Sequence, residues 1–87
     1  MTARFTLPAD HPALPGHFPG RPIVPGVLLL DAVLQAAGGA PRQVRRAKFI
    51  APVEPGAEVE IRFEQRPGGR TGFTCRCGGT TVLLGEL

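Results

Sequence analysis

An α+β fold, with one apolar helix packed against an antiparallel sheet, is predicted by three features of this 87-residue chain. The first is the apolar run VLLLDAVLQAA at residues 27–37, which has the length of a helix and ends at Gly38. The second is AEVEIRFEQ at residues 57–65, where apolar and charged residues alternate as in a half-buried strand. The third is a pair of glycine turns, at residues 66–70 and 78–79, that separate further strand-like segments.

The remaining elements follow from similar signals. A short first strand at residues 5–7 ends at Pro8, and the five prolines within residues 12–25 make that stretch an extended, ordered loop. Gly26 opens the helix, which is apolar nearly all round, so we expect it to be buried with an antiparallel meander curled around it. The later strands of that sheet are predicted at residues 44–53, 57–65, 71–77 and 80–87.

Length and composition indicate a single domain covering residues 1–87 that is only marginally stable alone, so a second copy would help it fold. Ten basic residues against seven acidic ones give a net charge of +3, which fits an acidic protein partner. Nucleic acid is not expected as a partner, because the chain has no Trp or Tyr and its basic residues alternate with glutamates. The apolar run is too short to span a bilayer and the N-terminus lacks a signal-peptide core, so we expect a soluble cytoplasmic protein.

The two cysteines, Cys75 and Cys77, are two residues apart in a predicted strand. Such neighbours share a face with poor geometry for a disulfide between them. No further cysteine or histidine pair completes a metal site, so we interpret both as small core residues and predict no metal.

Asp31 is unexpected, because it lies in the middle of an apolar helix, where a carboxylate is costly unless it is paired, neutralised or used. Desolvation there would raise its pKa and keep it protonated. His17, in the proline-rich loop, would supply a base with a pKa near neutrality. The first amides of the helix, at Gly26, could polarise a substrate carbonyl, and glycine has no side chain in the way. Together these groups could move a proton from carbon and a hydroxyl from its neighbour.

Structural interpretations compete with each of these roles. A histidine in a proline-rich loop is commonly structural, and a helical Asp can bond to nearby backbone. His11 is interpreted as an exposed loop residue. The basic residues between the helix and the next strand form either a solvated edge or a docking surface for an acidic carrier protein; they are Arg42, Arg45, Arg46 and Lys48.

Two motifs resemble those of the 3-hydroxyacyl-(acyl-carrier-protein) dehydratases of fatty acid synthesis. GHFPGRPIVPGVLLLDAVLQ, residues 16–35, is similar to the family pattern H-F-x-G-x-P-x-x-P-G followed by a helix that bears an acid. KFIAPVEPGAEVEIRFEQ, residues 48–65, is similar to the family pattern K-F-x-x-P-V-x-P-G-D. The resemblance implies a hot-dog fold, in which a curved antiparallel sheet wraps a central helix, and a short variant of it.

The resemblance also implies the site. His17 matches the catalytic histidine, Asp31 the catalytic acid, and Gly26 the backbone donor to the thioester carbonyl. It implies homodimers whose sites combine the histidine of one subunit with the acid of the other, acting on substrates carried by the phosphopantetheine of acyl carrier protein without a metal or redox cofactor. Four further residues are implied beside the substrate; they are Phe18, Pro25, Val27 and Gln35.

The expected activity is that of a lyase that dehydrates 3-hydroxyacyl carrier thioesters to trans-2-enoyl thioesters, in fatty acid or polyene-type synthesis. Two alternatives stay open, a hot-dog thioesterase and a catalytically silent module that binds acyl carriers. Asp at position 31, where the commoner branch has Glu, leaves double-bond isomerisation undecided. The segment between Gln35 and Lys48 is shorter than in the usual enzymes, which leaves acyl length and assembly beyond a dimer undecided.

Overall fold

The computed structural model describes residues 2–7, 24–38 and 43–87, which form one helix and five strands. A short 3-10 turn, Pro67–Gly69, connects the third strand to the fourth. The predicted α+β class is confirmed. In chain order the elements are β1 (Thr2–Thr6), α1 (Gly26–Ala36), β2 (Arg46–Phe49), β3 (Glu58–Arg66), β4 (Arg70–Cys77) and β5 (Thr80–Glu86).

The five strands form one antiparallel sheet in the order β1-β3-β4-β5-β2. Only β3, β4 and β5 are neighbours in the sheet in their sequence order. The predicted antiparallel meander is therefore correct for these three strands alone. The two strands that precede them in sequence lie at opposite edges, where Phe5 of β1 pairs with Val59 and Phe49 of β2 pairs with Leu83. The edge position of β2 brings the chain segment that follows α1 beside the last strand.

The alternating pattern of β3 is confirmed. Val59 and Ile61 are buried on the helix side of the sheet, and Phe63 is partly buried beside them. On β4, Cys75 is buried as predicted, whereas Cys77 on the same face is only partly buried against the core, and Phe73 is buried beside them. The core is formed by β3, β4, β5, the buried side of α1 and a few buried residues that lie just outside these elements.

The sequence predicted that the helix would be buried on all sides, but only one side of it is buried. Leu29 and Val33 are its only fully buried side chains, whereas Val27 is 71% exposed and Asp31 and Gln35 are exposed as well. These three exposed residues follow one another at four-residue intervals and so lie along one side of the helix. We refer to Val27, Asp31 and Gln35 as the outer stripe.

The bounds of β1 and β2 differ most from prediction. β1 begins at Thr2 rather than at residue 5, and the carbonyl of Leu7 beyond its end accepts a bond of 2.7 Å from the amide of Gly56. β2 ends at Phe49 rather than at residue 53, because the next two amides, of Ile50 and Ala51, both donate to the carbonyl of Val82. Two donors on one acceptor interrupt a regular ladder, so the strand stops there.

An ion-pair network crosses the outer face of the sheet. Arg66 of β3 passes over Gly72 of β4, where an added Cβ would meet its guanidinium, and its Nη1 lies 3.3 Å from Oε2 of Glu86 on β5. Arg70 also pairs with Glu86, at 3.4 Å. Hydrogen bonds to Glu64 and to Glu86 raise the pKa of Arg66. We call Arg66, Arg70 and Glu86 the Glu86 network.

Alkaline pH is expected to destabilise the protein through Cys75. Burial raises the pKa of its thiol from 9.0 to about 11. The unfolded chain therefore loses this proton first, and the free energy of unfolding should fall by roughly 2 kcal/mol as pH rises from about 9 to about 11. Urea unfolding at a series of pH values measures this loss.

Cys75→Val should remove that part of the pH dependence, whereas Cys77→Ser, at the partly exposed neighbour, should keep it. Equal pH profiles for the wild type and Cys75→Val would contradict the assignment.

Candidate active site

The first amide of α1 has no hydrogen-bond acceptor within the described part of the chain. It belongs to Gly26, which follows Pro25 in an extended conformation with φ −57° and ψ 139°. The amide of Leu28, two residues further on, already donates to the carbonyl of Pro25 at 3.0 Å. Unpaired first amides and the positive end of the helix dipole together attract a carbonyl oxygen or an anion.

The ring of Phe49, on edge strand β2, stands over Gly26. A Cβ built on Gly26 would lie 2.8 Å from both Cε1 and Cζ of this ring, which is closer than non-bonded carbons approach. The sequence predicts that glycine at position 26 leaves room for a substrate carbonyl. The structure shows that an aromatic ring occupies the space beside Gly26 where a side chain would be, so any substrate must approach the amide alongside that ring.

An apolar groove of about 320 Å³ runs from Gly26 along the start of the helix. One wall contains Gly26 and Leu29 of α1, and the other contains Phe49 and the segment after it as far as Val53. The amide of Val24 donates to the carbonyl of Val53 at 2.8 Å and so joins the two walls. The groove can hold a hydrocarbon chain whose polar end reaches the helix N-terminus.

Asp31 lies on the other side of the helix from this groove. Asp31 comes five positions after Gly26, which is a rotation of about 140° around the helix once one full turn is subtracted. Its side chain is exposed in the outer stripe, so the desolvation expected for it is not provided by the described residues. The structure therefore does not bring Asp31 and the groove of the same chain together.

Other site residues predicted from the sequence fall into three groups. Pro25 lies beside Gly26 and is half-buried, whereas Val27 and Gln35 belong to the outer stripe with Asp31. The basic residues of β2 and its approach are exposed; they are Arg45, Arg46 and Lys48. Three predicted residues lie outside the described residues, namely His17, Phe18 and Arg42.

Sequence reasoning missed two residues near these sites. Phe49 belongs to a motif in the sequence, but no sequence pattern indicates that its ring lies against Gly26. Arg70 lines a cavity of about 140 Å³ together with Arg45 and the turn glycines, so the basic surface is larger than predicted. The turn at residues 66–70 could have suggested this, because a hairpin there places Arg70 at the end of the sheet, where the returning strand begins.

Solved structures with the same architecture identify the fold. The dehydratase heterocomplex ApeI:P from Xenorhabdus doucetiae matches with a TM-score of 0.79 and 24% identity over 98% of this chain and 81% of that one. An uncharacterized protein from Erwinia carotovora matches with a TM-score of 0.77 and 24% identity over 98% of this chain and 77% of that one. The helix on its antiparallel sheet, with a groove at the helix N-terminus, defines a protein of the hot-dog class.

Sequence comparisons give the family within this class. The 3-hydroxyacyl-(acyl-carrier-protein) dehydratase FabZ of Chlamydia trachomatis is 33% identical over 106 residues, covering 100% of this chain and 69% of that protein. FabZ of Rhizorhabdus wittichii is 43% identical over 89 residues, covering 83% of this chain and 54% of that protein. A family model described as ApeI-like, ApeI dehydratase, matches residues 1–85. The chain belongs to the ApeI-like dehydratases.

Among the residues that the structure describes, no helix has the length and apolar character needed to cross a membrane.

Proposed function

We propose that this protein is a lyase that removes water from 3-hydroxyacyl thioesters borne on acyl carrier protein and releases trans-2-enoyl thioesters, in fatty acid or polyene-type synthesis. The observation that carries the proposal is the placement of two functional groups on helix α1. It brings an amide without an acceptor in the described chain, that of Gly26, to the head of an apolar groove, and it presents the carboxyl of Asp31 on its outer stripe. The relatives named as dehydratases of 3-hydroxyacyl carriers support it.

The proposed reaction divides between three groups. The amide of Gly26 donates a hydrogen bond to the thioester carbonyl, which stabilises the negative charge that develops on its oxygen. His17 takes the proton from the carbon next to that carbonyl, and the electron pair of the broken C–H bond forms the double bond. Asp31 gives its proton to the departing hydroxyl, which leaves as water.

No metal or redox cofactor takes part in this proposal. Loss of water from a 3-hydroxyacyl thioester transfers no electrons to another molecule, and dehydratases of the FabZ kind need no cofactor. The acyl group is carried on the phosphopantetheine of the carrier. Two free thiols in the described chain, Cys75 and Cys77, fit a reducing compartment, and we place the reaction in the cytoplasm.

Each site is proposed to use two chains of a homodimer. Asp31 and the groove face opposite sides of one helix, so the acid that serves a groove must come from a second chain. The outer stripe supplies surface for this contact, since Val27 is 71% exposed and Asp31 and Gln35 are exposed as well. A second copy over this surface would also desolvate Asp31. The heterocomplex among the similar structures makes a different partner chain the alternative.

The test of the function is to incubate the protein with 3-hydroxyacyl carrier thioesters of several lengths and to follow enoyl absorbance and product mass. Loss of water in the wild type, abolished in His17→Ala and in Asp31→Asn, supports the proposal. Release of free acid would instead indicate a thioesterase. Bound but unchanged substrate would indicate a silent carrier-binding module.

Carrier docking is proposed at the basic end of the sheet. Arg45, Arg46 and Lys48 are exposed there, Arg70 lines a cavity with Arg45, and Arg42 precedes them in sequence. Clustered positive charge attracts an acidic carrier and raises its association rate. The Glu86 network compensates part of this charge, because Glu86 pairs with Arg66 and Arg70.

Charge reversal at this surface should weaken carrier binding without changing the chemistry. We expect Arg45→Glu with Arg46→Glu to raise KM for a carrier thioester by about tenfold, with kcat unchanged within about twofold. The same substrate on free pantetheine should show no change in either constant. Steady-state rates at two salt concentrations measure this, since added salt should reduce the difference between wild type and variant.

The matched control is Arg4→Glu with Arg62→Glu, which changes the same charge on β1 and β3, far along the sheet. An equal increase of KM in this control would contradict docking at the basic end.

A further inference from the structure

The backbone of Phe49 is held by the sheet, and the residue is about half exposed at the sheet edge. Its Cα pairs with that of Leu83, which is fully buried, and the next amides, of Ile50 and Ala51, donate to the carbonyl of Val82 at 2.9 and 3.4 Å. Phe49 as a whole is 51% exposed, and its ring lies against Gly26. The sheet therefore fixes where the ring is attached, and the side-chain rotamer sets where the ring lies.

This ring stands at the point where the groove meets the helix N-terminus. It lines the groove together with Gly26 and lies within contact of the position that a Cβ of residue 26 would occupy. The other lining side chains are also apolar, so in the described wall of the groove only backbone groups, such as the Gly26 amide, can hydrogen-bond a substrate. The orientation of a bound acyl chain and the width of the groove at this point therefore depend on the Phe49 ring.

We propose that Phe49 is a positioning residue that selects the acyl chain. Its ring presses a short acyl thioester towards the Gly26 amide and restricts the groove for longer chains. This inference rests on the proposed dehydration of carrier thioesters. Steric differences of this kind in an apolar pocket change selectivity by about 10-fold to 200-fold.

The first experiment compares the wild type with Phe49→Ala and Phe49→Leu on 3-hydroxybutanoyl and 3-hydroxydecanoyl carrier thioesters. We expect Phe49→Ala to raise the ratio of kcat/KM for the longer over the shorter substrate by at least about tenfold, mainly through KM, with Phe49→Leu between the two. Leu84→Ala is the control. Leu84 follows buried Leu83 on β5 and so faces the other side of the sheet, and its variant should keep the wild-type ratio.

The second experiment tests the contact with Gly26 by a double-mutant cycle. In the wild-type background, Gly26→Ala should displace the ring and lower kcat/KM for the shorter substrate by about tenfold or more. In the Phe49→Ala background the added methyl has room, so the same change should cost no more than about twofold. If position 26 needs glycine for a reason unrelated to Phe49, Gly26→Ala would lower kcat/KM by the same factor in both backgrounds.

The outcomes separate this inference from the proposed function. An active wild type whose chain-length ratio is unchanged in Phe49→Ala, or equal losses in both backgrounds of the cycle, would overturn the role of Phe49 alone. A wild type that dehydrates no carrier thioester would overturn both proposals.

Discussion

Mixing two inactive variants, His17→Ala and Asp31→Asn, is expected to restore about a quarter of the wild-type dehydration rate. Each variant alone should lose activity by about a hundredfold or more, because a proton-transfer group is missing from every site. In a mixed dimer, one site receives both substitutions and the other receives neither. Random association makes about half of the dimers mixed, and one of the two sites in each of these is complete.

The reason for this expectation is the position of Asp31. The carboxyl lies about 140° around the helix from Gly26, which begins the groove, so a chain cannot use its own acid in its own groove without a large rearrangement. The measurement is the initial rate after the two variants are unfolded together in urea and refolded as a mixture.

The control replaces the Asp31→Asn partner by the double variant His17→Ala with Asp31→Asn. No complete site can form in that mixture, and no activity should return. Failure of the first mixture to recover activity, with both variants folded and dimeric, would contradict a site shared between chains.

The largest loss of stability is expected from a single methyl group at Gly85. A Cβ there would meet the backbone carbonyl oxygen of Arg46 on β2 and would lie 2.6 Å from Cζ of Phe73, which is 1% exposed. Neither obstacle can swing into solvent. Gly85→Ala should therefore lower the free energy of unfolding by about 3 kcal/mol, a large share of the stability of so short a chain.

Gly72 is the matched control, because it is also a strand glycine at which an added Cβ would meet a neighbouring group. There the neighbour is the guanidinium of Arg66, the end of a flexible side chain that can move outwards. The gain from replacing a strand glycine partly offsets the lost contact, so Gly72→Ala should change the free energy of unfolding by less than about 1 kcal/mol. Urea unfolding followed by circular dichroism measures both, and equal losses would contradict the steric account.

Much of the fold was predictable from local patterns. The alternation of Val59, Ile61 and Phe63 identified β3 and its buried face, because strand periodicity is a property of the sequence itself. The position of β2 at the far edge was not predictable in this way. Pairing of Phe49 with Leu83 is a contact between segments distant in sequence, and no local pattern specifies it.

Part of the candidate site could be proposed from the sequence. Gly26 and Asp31 are candidates because the first amide of a helix and a carboxyl in an apolar helix each have a chemical consequence that the sequence alone reveals. The expected burial of Asp31 was wrong for the single chain, since helical periodicity does not say whether a face is covered by the same chain or by another. Phe49 was missed because its relation to Gly26 exists only after the sheet has formed.

The side chain of Glu86 affects both the stability of the sheet and the charge of the proposed docking surface. It ties β5 to an arginine that reaches across from β3, and it is also the acid that reduces the positive potential where an acidic carrier is proposed to dock. A neutral residue at position 86 would strengthen the attraction for the carrier. It would also remove the ion pairs that connect β5 to β3 and β4. Selection for faster capture of substrate and selection for a durable sheet therefore act on Glu86 in opposite directions, a trade-off between activity and stability.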